Sequence, residues 1–282
     1  LEGRVRASVF RAVTPMSGRD PVADVFTEAD SASERIDQLL SGEAFDVLDQ
    51  KNGWAWGRIR RHGQVGWIQQ TALSSGVPRA THQVCRPGGP RPLNALISNP
   101  DEDERGFLAS VGRFASDRVG VAESLMGTPH ALGARSSLAT DCSGLVQQTL
   151  LACGHAGARR SDEQALLGLP VSRDRAGRND LVIWLHPTGG ICWTGHSALM
   201  QDDHHIIHAS GHHGTDLPPP APLISPRKKG GLRPPFISSA LRTRPIRCWA
   251  APGWSRQARR QDWSGFRPDP GLQRPVQHPR LQ

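Results

Sequence analysis

Tyrosine is absent from this chain of 282 residues, and aromatic residues of every kind make up only 5% of it. No site in the protein can therefore draw on a phenolic donor. No apolar run approaches the roughly 20 residues that cross a bilayer as a helix, and no charged-then-apolar segment opens the chain. The five cysteines (Cys85, Cys142, Cys153, Cys192, Cys248) are odd in number, scattered, and free of C-x-x-C spacing. That pattern excludes a disulfide framework or a zinc ribbon and points to a reducing, cytoplasmic setting. The hydrophobic fraction of 37% is low for one compact globule and implies that part of the chain is unstructured.

Charge is unevenly placed. The net +8 invites a nucleic-acid reading, yet residues 217–282 hold 13 of the 34 Lys and Arg against two of the 26 acids, a net of +11. The other 216 residues carry about −3. The same 66 residues hold 13 of the 23 prolines, a composition that cannot bury a core. They are read as a disordered basic tail without the aromatic-basic pattern of a specific nucleic-acid module.

Along the chain, residues 1–20 are polar and aperiodic and read as a loose arm. Residues 21–75 alternate apolar and polar. Phe45-Asp46-Val47-Leu48-Asp49 and Trp54-Ala55-Trp56-Gly57-Arg58-Ile59 flank a hairpin signal at Asn52-Gly53, and Val65-Gly66-Trp67-Ile68 follows a turn at His62-Gly63. Short strands at this spacing make a small all-β barrel. Residues 76–115, with the breaker cluster Cys85–Pro92, are either a linker or an incomplete second barrel.

From Ser116 the period turns helical: Ser116 or Asp117 caps, and Val119, Ala122, Leu125 and Met126 recur at helical spacing. Next comes Asp141-Cys142-Ser143-Gly144-Leu145-Val146-Gln147-Gln148, where Asp141 is an N-cap and the apolar residues read as one face of a helix. Cys142 in the first turn meets unpaired N–H groups and the positive end of the helix dipole, which favour the nucleophilic thiolate. A short helix near Ser161 precedes three strands, at Leu181–Leu185, Ser197–Met200 and His205–Ala209. Helices followed by antiparallel strands give an α+β domain over residues 116–216.

A thiolate needs a base and an orienter for that base. His196 opens one strand and His208, 12 residues on, ends the next, so an antiparallel hairpin brings them side by side. Cys142, His196 and His208 then form a nucleophile, base and orienter. The histidines His204, His205, His208, His212 and His213 suggest zinc at first sight, but the local pattern is strand and no H-E-x-x-H accompanies them, so neither metal nor cofactor is expected.

The run Asp-Cys-Ser-Gly-Leu-Val-Gln, then Gly-His at a strand start, then Ile-His-Ala-Ser a hairpin later, resembles the NlpC-type family of papain-like cell-wall cysteine peptidases. The pattern Gly42-Glu43, Asn52-Gly53-Trp54-Ala55-Trp56-Gly57-Arg58-Ile59 and Gly63-Gln64-Val65-Gly66-Trp67-Ile68 resembles bacterial SH3-like domains. Together they are similar to γ-D-glutamyl-diamino-acid endopeptidases. The resemblance implies Cys142 as nucleophile, His196 as base, His208 as the third polar residue, and the Cys142 backbone N–H in the oxyanion hole. It places Asp141 and Ser143 near the substrate's amino end and a murein peptide as substrate. Where the family has Pro-Tyr-x-Trp-Gly-Gly, this chain has Pro129-His130-Ala131-Leu132-Gly133-Ala134. His130 thus replaces the tyrosine of the oxyanion region, and 186–193 resembles an insertion. Trp54, Trp56 and Trp67 either line a ligand groove, with Trp54 touching substrate, or form core and rim of the barrel. A catalytically weak protein that binds wall peptides through its SH3-like domain is the alternative to an enzyme.

Overall fold

The computed structural model describes residues 11–185 and 195–211, and the backbone of three strands at 224–228, 237–239 and 246–248. The described elements lie in one compact unit, Val13–Pro252.

The first seven strands form one sheet: β1 (Thr14–Gly18), β2 (Val22–Phe26), β3 (Arg35–Leu40), β4 (Ala44–Lys51), β5 (Trp54–Ile59), β6 (Val65–Gln69) and β7 (Leu73–Ser75), in the order β3-β2-β6-β5-β4-β1-β7. The β4–β5 hairpin turns at Asn52 and Gly53, both at positive φ (49° and 80°), the conformation a two-residue primed turn demands. Val25, Leu39, Phe45, Ala55, Ile59 and Ile68 are buried in the core. Each large side chain among them contributes about 1.5–3 kcal/mol by leaving water. In β5 the inward positions are Ala55, Gly57 and Ile59, so Trp54, Trp56 and, on β6, Trp67 are half-buried on the outer face. Trp56 sits opposite Trp67, and Trp54 meets Phe26 edge-on at 5.8 Å.

The expected arm over 1–20 is corrected by β1, which pairs with both β4 and β7. Its polar sequence carries no strand signal of its own; two neighbouring strands hold it. Residues 1–10 lie outside the described residues.

Residues 76–115 hold a three-stranded sheet, β8 (His82–Val84), β9 (Leu96–Ile97) and β10 (Leu108–Ser110), ordered β10-β8-β9. Val84, Ala95 and Ile97 form a small core against Phe107 and Leu108. The Asn94 side chain donates to the Gln148 carbonyl at 3.0 Å and to its side-chain oxygen at 2.6 Å, joining this module to the helical part.

Helices α1 (Arg118–Ser124) and α2 (Cys142–Ala152) are followed by the single turn α3 (Ser161–Gln164). Strand β11 (Leu169–Pro170) pairs with tail strands, and β12 (Leu181–Leu185), β13 (Gly195–Met200), β14 (His205–Ala209) and β15 (Ile224–Lys228) make a four-stranded antiparallel sheet in that order. Val119, Leu125, Leu145, Val146, Leu150, Leu181, Ile183, Leu199 and Ile207 close the core between helices and sheet. Met126 lies beyond α1 and is exposed, contrary to its helical spacing. Helix α2 is buried on all sides rather than along one face. Its polar residues are accommodated by hydrogen bonds, among them Gln147 Nε2 to the Gly157 carbonyl at 2.8 Å.

The stretch read as a tail contains β15, which pairs with β14, together with β16 (Ile237–Ser239) and β17 (Ile246–Cys248). Pro226 is tolerated there because β15 is the sheet's edge. The remainder of 217–282 and the insertion at 186–193 lie outside the described residues. Among the described residues no helix is long and apolar enough to cross a membrane.

Candidate active site

Helix α2 begins as its sequence dictates. The Asp141 carboxylate accepts from the Gly144 N–H at 2.7 Å and from Ser143 Oγ at 3.1 Å, satisfying donors of the first turn. Cys142 follows as the first helical residue and is 9% exposed. Here burial works against the thiolate that the helix terminus favours. Burial, and then the neighbouring Asp141 charge, push the Cys142 thiol up to about 11. The backbone N–H groups of Ser197 and Ser143 and the Arg159 guanidinium pull the other way without overcoming that rise. The helix terminus helps the thiolate, but desolvation next to a carboxylate outweighs it.

Strand β13 places His196 and β14 places His208. Leu199 pairs with Ile207, and continuing that register sets His208 opposite Ala198, with His196 diagonally across on the same face. His196 Nε2 lies 2.9 Å from His208 Nδ1, and the rings meet nearly perpendicular at 84°. Nε2 is thus the nitrogen of His196 turned toward His208. The contact between Ser197 N–H and the Cys142 sulfur brings this end of β13 to the nucleophile.

Trp184, opposite His196 on β12, tilts its ring at 52° over the imidazole, with centroids 5.4 Å apart. Its Nε1 is buried without a hydrogen-bond partner among the described residues. Sequence reasoning treated Trp184 only as part of a strand; cross-strand pairing with the base was its one signal.

His130 is half-buried and its ring packs on Gly211, just past β14. Burial lowers its pKa, with Asp141 opposing, which favours the neutral imidazole. The loop after it is pinned to the barrel. The Leu132 carbonyl accepts from Arg35 Nε at 3.0 Å and Nη2 at 2.9 Å, and the Gly133 N–H donates to Asp141 Oδ2 at 3.0 Å.

Beneath the site runs an ion network that the sequence did not announce. Arg159 donates to both Asp141 oxygens (Nη1 3.0 Å, Nη2 2.7 Å), to Ser143 Oγ at 3.0 Å, and through Nε to Asp37 of β3 at 3.0 Å. Arg135, fully buried, donates Nε to the same Asp37 at 3.1 Å and its terminal nitrogens to Glu43. His62 Nε2 reaches the other Asp37 oxygen at 2.5 Å. Burial alone would raise the Asp37 and Glu43 carboxyls. For Asp37, His62, Arg135 and Arg159 reverse this and hold it far below its ordinary value; for Glu43, Arg135 and Arg61 bring it to about 2. Asp37 and Arg159 are 122 residues apart, so no local pattern could have joined them.

The structure thus sets Asp141, Cys142 and Ser143 at the start of α2, with Asp141 and Ser143 engaged by Arg159. It brings Ser197 N–H to the Cys142 sulfur and Asp141 within range of His130, and pairs His196, the neighbour of Ser197, with His208. Trp54 stands on the barrel's outer face against Phe26. His204 lies in the β13–β14 turn and His205 opens β14, where it pairs with Asp202 at 2.8 Å; His212 and His213 fall outside the described residues. Among the described residues no three His, Cys, Asp or Glu side chains are grouped to hold a metal.

Residues 25–73 match the family model for the bacterial dipeptidyl-peptidase SH3 domain, and residues 127–226 match that of the NlpC/P60 family. Among solved structures, the chain is similar to an NlpC/P60 family protein from Bacillus cereus ATCC 10987, with 15% identity and a TM-score of 0.64, covering 77% of this chain and 95% of that one. It is also similar to the NlpC/p60 domain of the peptidoglycan hydrolase SagA, at 27% identity and a TM-score of 0.29, over 39% of this chain and 86% of that one. No similar chain is found among curated proteins.

Proposed function

We propose that this chain, an NlpC/P60 cell-wall cysteine peptidase with an N-terminal bacterial SH3-type domain, hydrolyses the amide between γ-D-glutamate and a diamino acid in murein peptides. The observation that carries the assignment of roles is the 2.9 Å contact between His196 Nε2 and His208 Nδ1, one residue from Ser197, whose N–H meets the Cys142 sulfur. Because the resting thiol is protonated, the base must take its proton during attack. Cys142 Sγ bonds to the amide carbon while its proton passes to His196 Nδ1, and the carbonyl π electrons move to oxygen. The Cys142 backbone N–H stabilises that oxyanion. The imidazolium then has both nitrogens protonated, and Nε2–H donates to His208 Nδ1, which fixes the ring and shares its charge. His196 protonates the departing amine as the C–N bond breaks. Water, deprotonated by His196, attacks the thioester carbon and releases the γ-D-glutamyl acid with restored thiol.

The test is incubation with L-Ala-γ-D-Glu-meso-diaminopimelate beside a Cys142→Ala control, following free diamino acid. Release by the unmutated protein alone is expected; release by both removes Cys142 from the mechanism. A second reading, capture of such peptides without turnover, is favoured by the buried thiol and by the engagement of Asp141 and Ser143 with Arg159. It predicts peptide binding by both proteins and release by neither.

A further inference from the structure

One buried side chain carries charge from the SH3-like barrel to the start of the Cys142 helix. Arg159 is buried, and it bridges two carboxylates from different parts of the chain: Asp37 on β3 at Nε, and Asp141, the N-cap of α2, at both terminal nitrogens. The planar fork of a guanidinium lets each carboxylate fix the orientation presented to the other. Asp37 is in turn oriented from behind by His62 and Arg135, and these side chains are almost wholly buried. Their charges are therefore weakly screened.

We propose that Asp37 is a positioning residue for Cys142: through Arg159 it holds Asp141 and the first turn of α2 in place, and it sets how much positive charge Arg159 presents to the thiol. The inference rests on the reading of Cys142 as nucleophile, and it assigns the barrel a part in tuning that nucleophile. The titratable and charged groups facing Asp37 are His62, Arg135 and Arg159; those acting on Cys142 are Asp141 and Arg159, together with His196, the base in the proposed reaction. Arg159 favours the thiolate and is itself partly neutralised by Asp37. Removing the Asp37 charge while keeping its shape leaves more of the Arg159 charge for the sulfur. Removing Arg159 does the opposite.

The test is the pH dependence of iodoacetamide alkylation at Cys142 in the full chain, read by peptide mass spectrometry so that other cysteines do not interfere. It needs no turnover, so it stands apart from the substrate assay. Asp37→Asn should alkylate roughly three- to tenfold faster at pH 8, with its titration displaced to lower pH. Arg159→Gln should alkylate more slowly than the unmutated protein. Glu43→Gln, which touches Arg135 and not Arg159, should leave the Cys142 titration in place. Opposite signs for the two partners of one ion pair distinguish charge tuning from a loosened fold, which would expose the thiol and accelerate both. If both variants accelerate, or if Asp37→Asn titrates as the unmutated protein does, the proposal is overturned. Should Asp37→Asn fail to fold, Asp37→Ser carries the same expectation and the same refutation.

Discussion

Replacing Arg135 by methionine should be among the most destabilising single changes in this protein. The side chain is wholly buried between Asp37 and Glu43, and it also donates to the Gln38 carbonyl at 2.7 Å. Methionine fills much of the volume and removes the charge, leaving two buried carboxylates with fewer partners. Breaking a buried ion pair from one side costs about 3–5 kcal/mol. The Glu43 carboxyl gives a second route to the magnitude. Its value falls from 4.5 to about 2 under Arg135 and Arg61, against the opposing effect of burial. A displacement of that size corresponds to about 3 kcal/mol at neutral pH for the two arginines together. The sign follows: the folded carboxyl is depressed, so this stability is present above the unfolded value near 4.5 and is lost as pH falls toward 2. Urea unfolding at pH 7 and at pH 4 measures both effects. Arg135→Met should lose about 3 kcal/mol or more at pH 7, a large fraction of a typical domain's 5–15 kcal/mol, and should depend less on pH between 5 and 3 than the unmutated protein. Adding Glu43→Gln should recover part of the loss, because one stranded charge disappears. A loss under about 1 kcal/mol at pH 7, or an unchanged acid dependence, would refute the reasoning that these arginines hold buried carboxylates ionised.

His208→Ala should lower kcat by about ten- to a hundredfold with little change in KM, since it removes only the contact that orients the base, and His208→Asn should recover part of it in the same tripeptide assay. His130→Tyr supplies the phenolic donor the chain lacks and should raise kcat by up to about a hundredfold; an unchanged or lower kcat would place His130 outside the oxyanion region. Gly133→Ala should destabilise by about 2–4 kcal/mol in a urea titration, because Gly133 has φ of 72° and an added Cβ would meet the Arg35 carbonyl oxygen at 2.1 Å.

What could be read in advance was local. Asn52-Gly53 announced a primed hairpin because few other pairs adopt positive φ twice in succession. Asp141 announced a helix start because its carboxylate reaches the Gly144 N–H three residues on. His196 and His208 could be paired because a tight hairpin fixes which residues face each other across 12 positions. Features set by distant partners left no such trace. Thr14–Gly18 is a strand only because β4 and β7 flank it, and α2 is buried all round because neighbouring elements cover its polar face and bond to its glutamines.

The same distinction applies to the Cys142 thiol. Sequence placed Cys142 correctly at a helix N-terminus, and from the terminus alone a thiolate follows. Whether the thiol ionises depends instead on how much water remains and which charges stand nearby. The fold removes the water, sets the Asp141 carboxylate beside the sulfur, and offers Arg159 as partial compensation. That compensation is shared with Asp37, a residue of the barrel. If Cys142 is the nucleophile as proposed, its readiness is set by both parts of the chain, with the Arg159 guanidinium linking Asp37 to Asp141. A peptidase whose resting thiol is protonated must draw on its base in the attacking step itself. In the proposed reaction, turnover therefore depends more on the geometry of His196 and His208 than on the helix dipole.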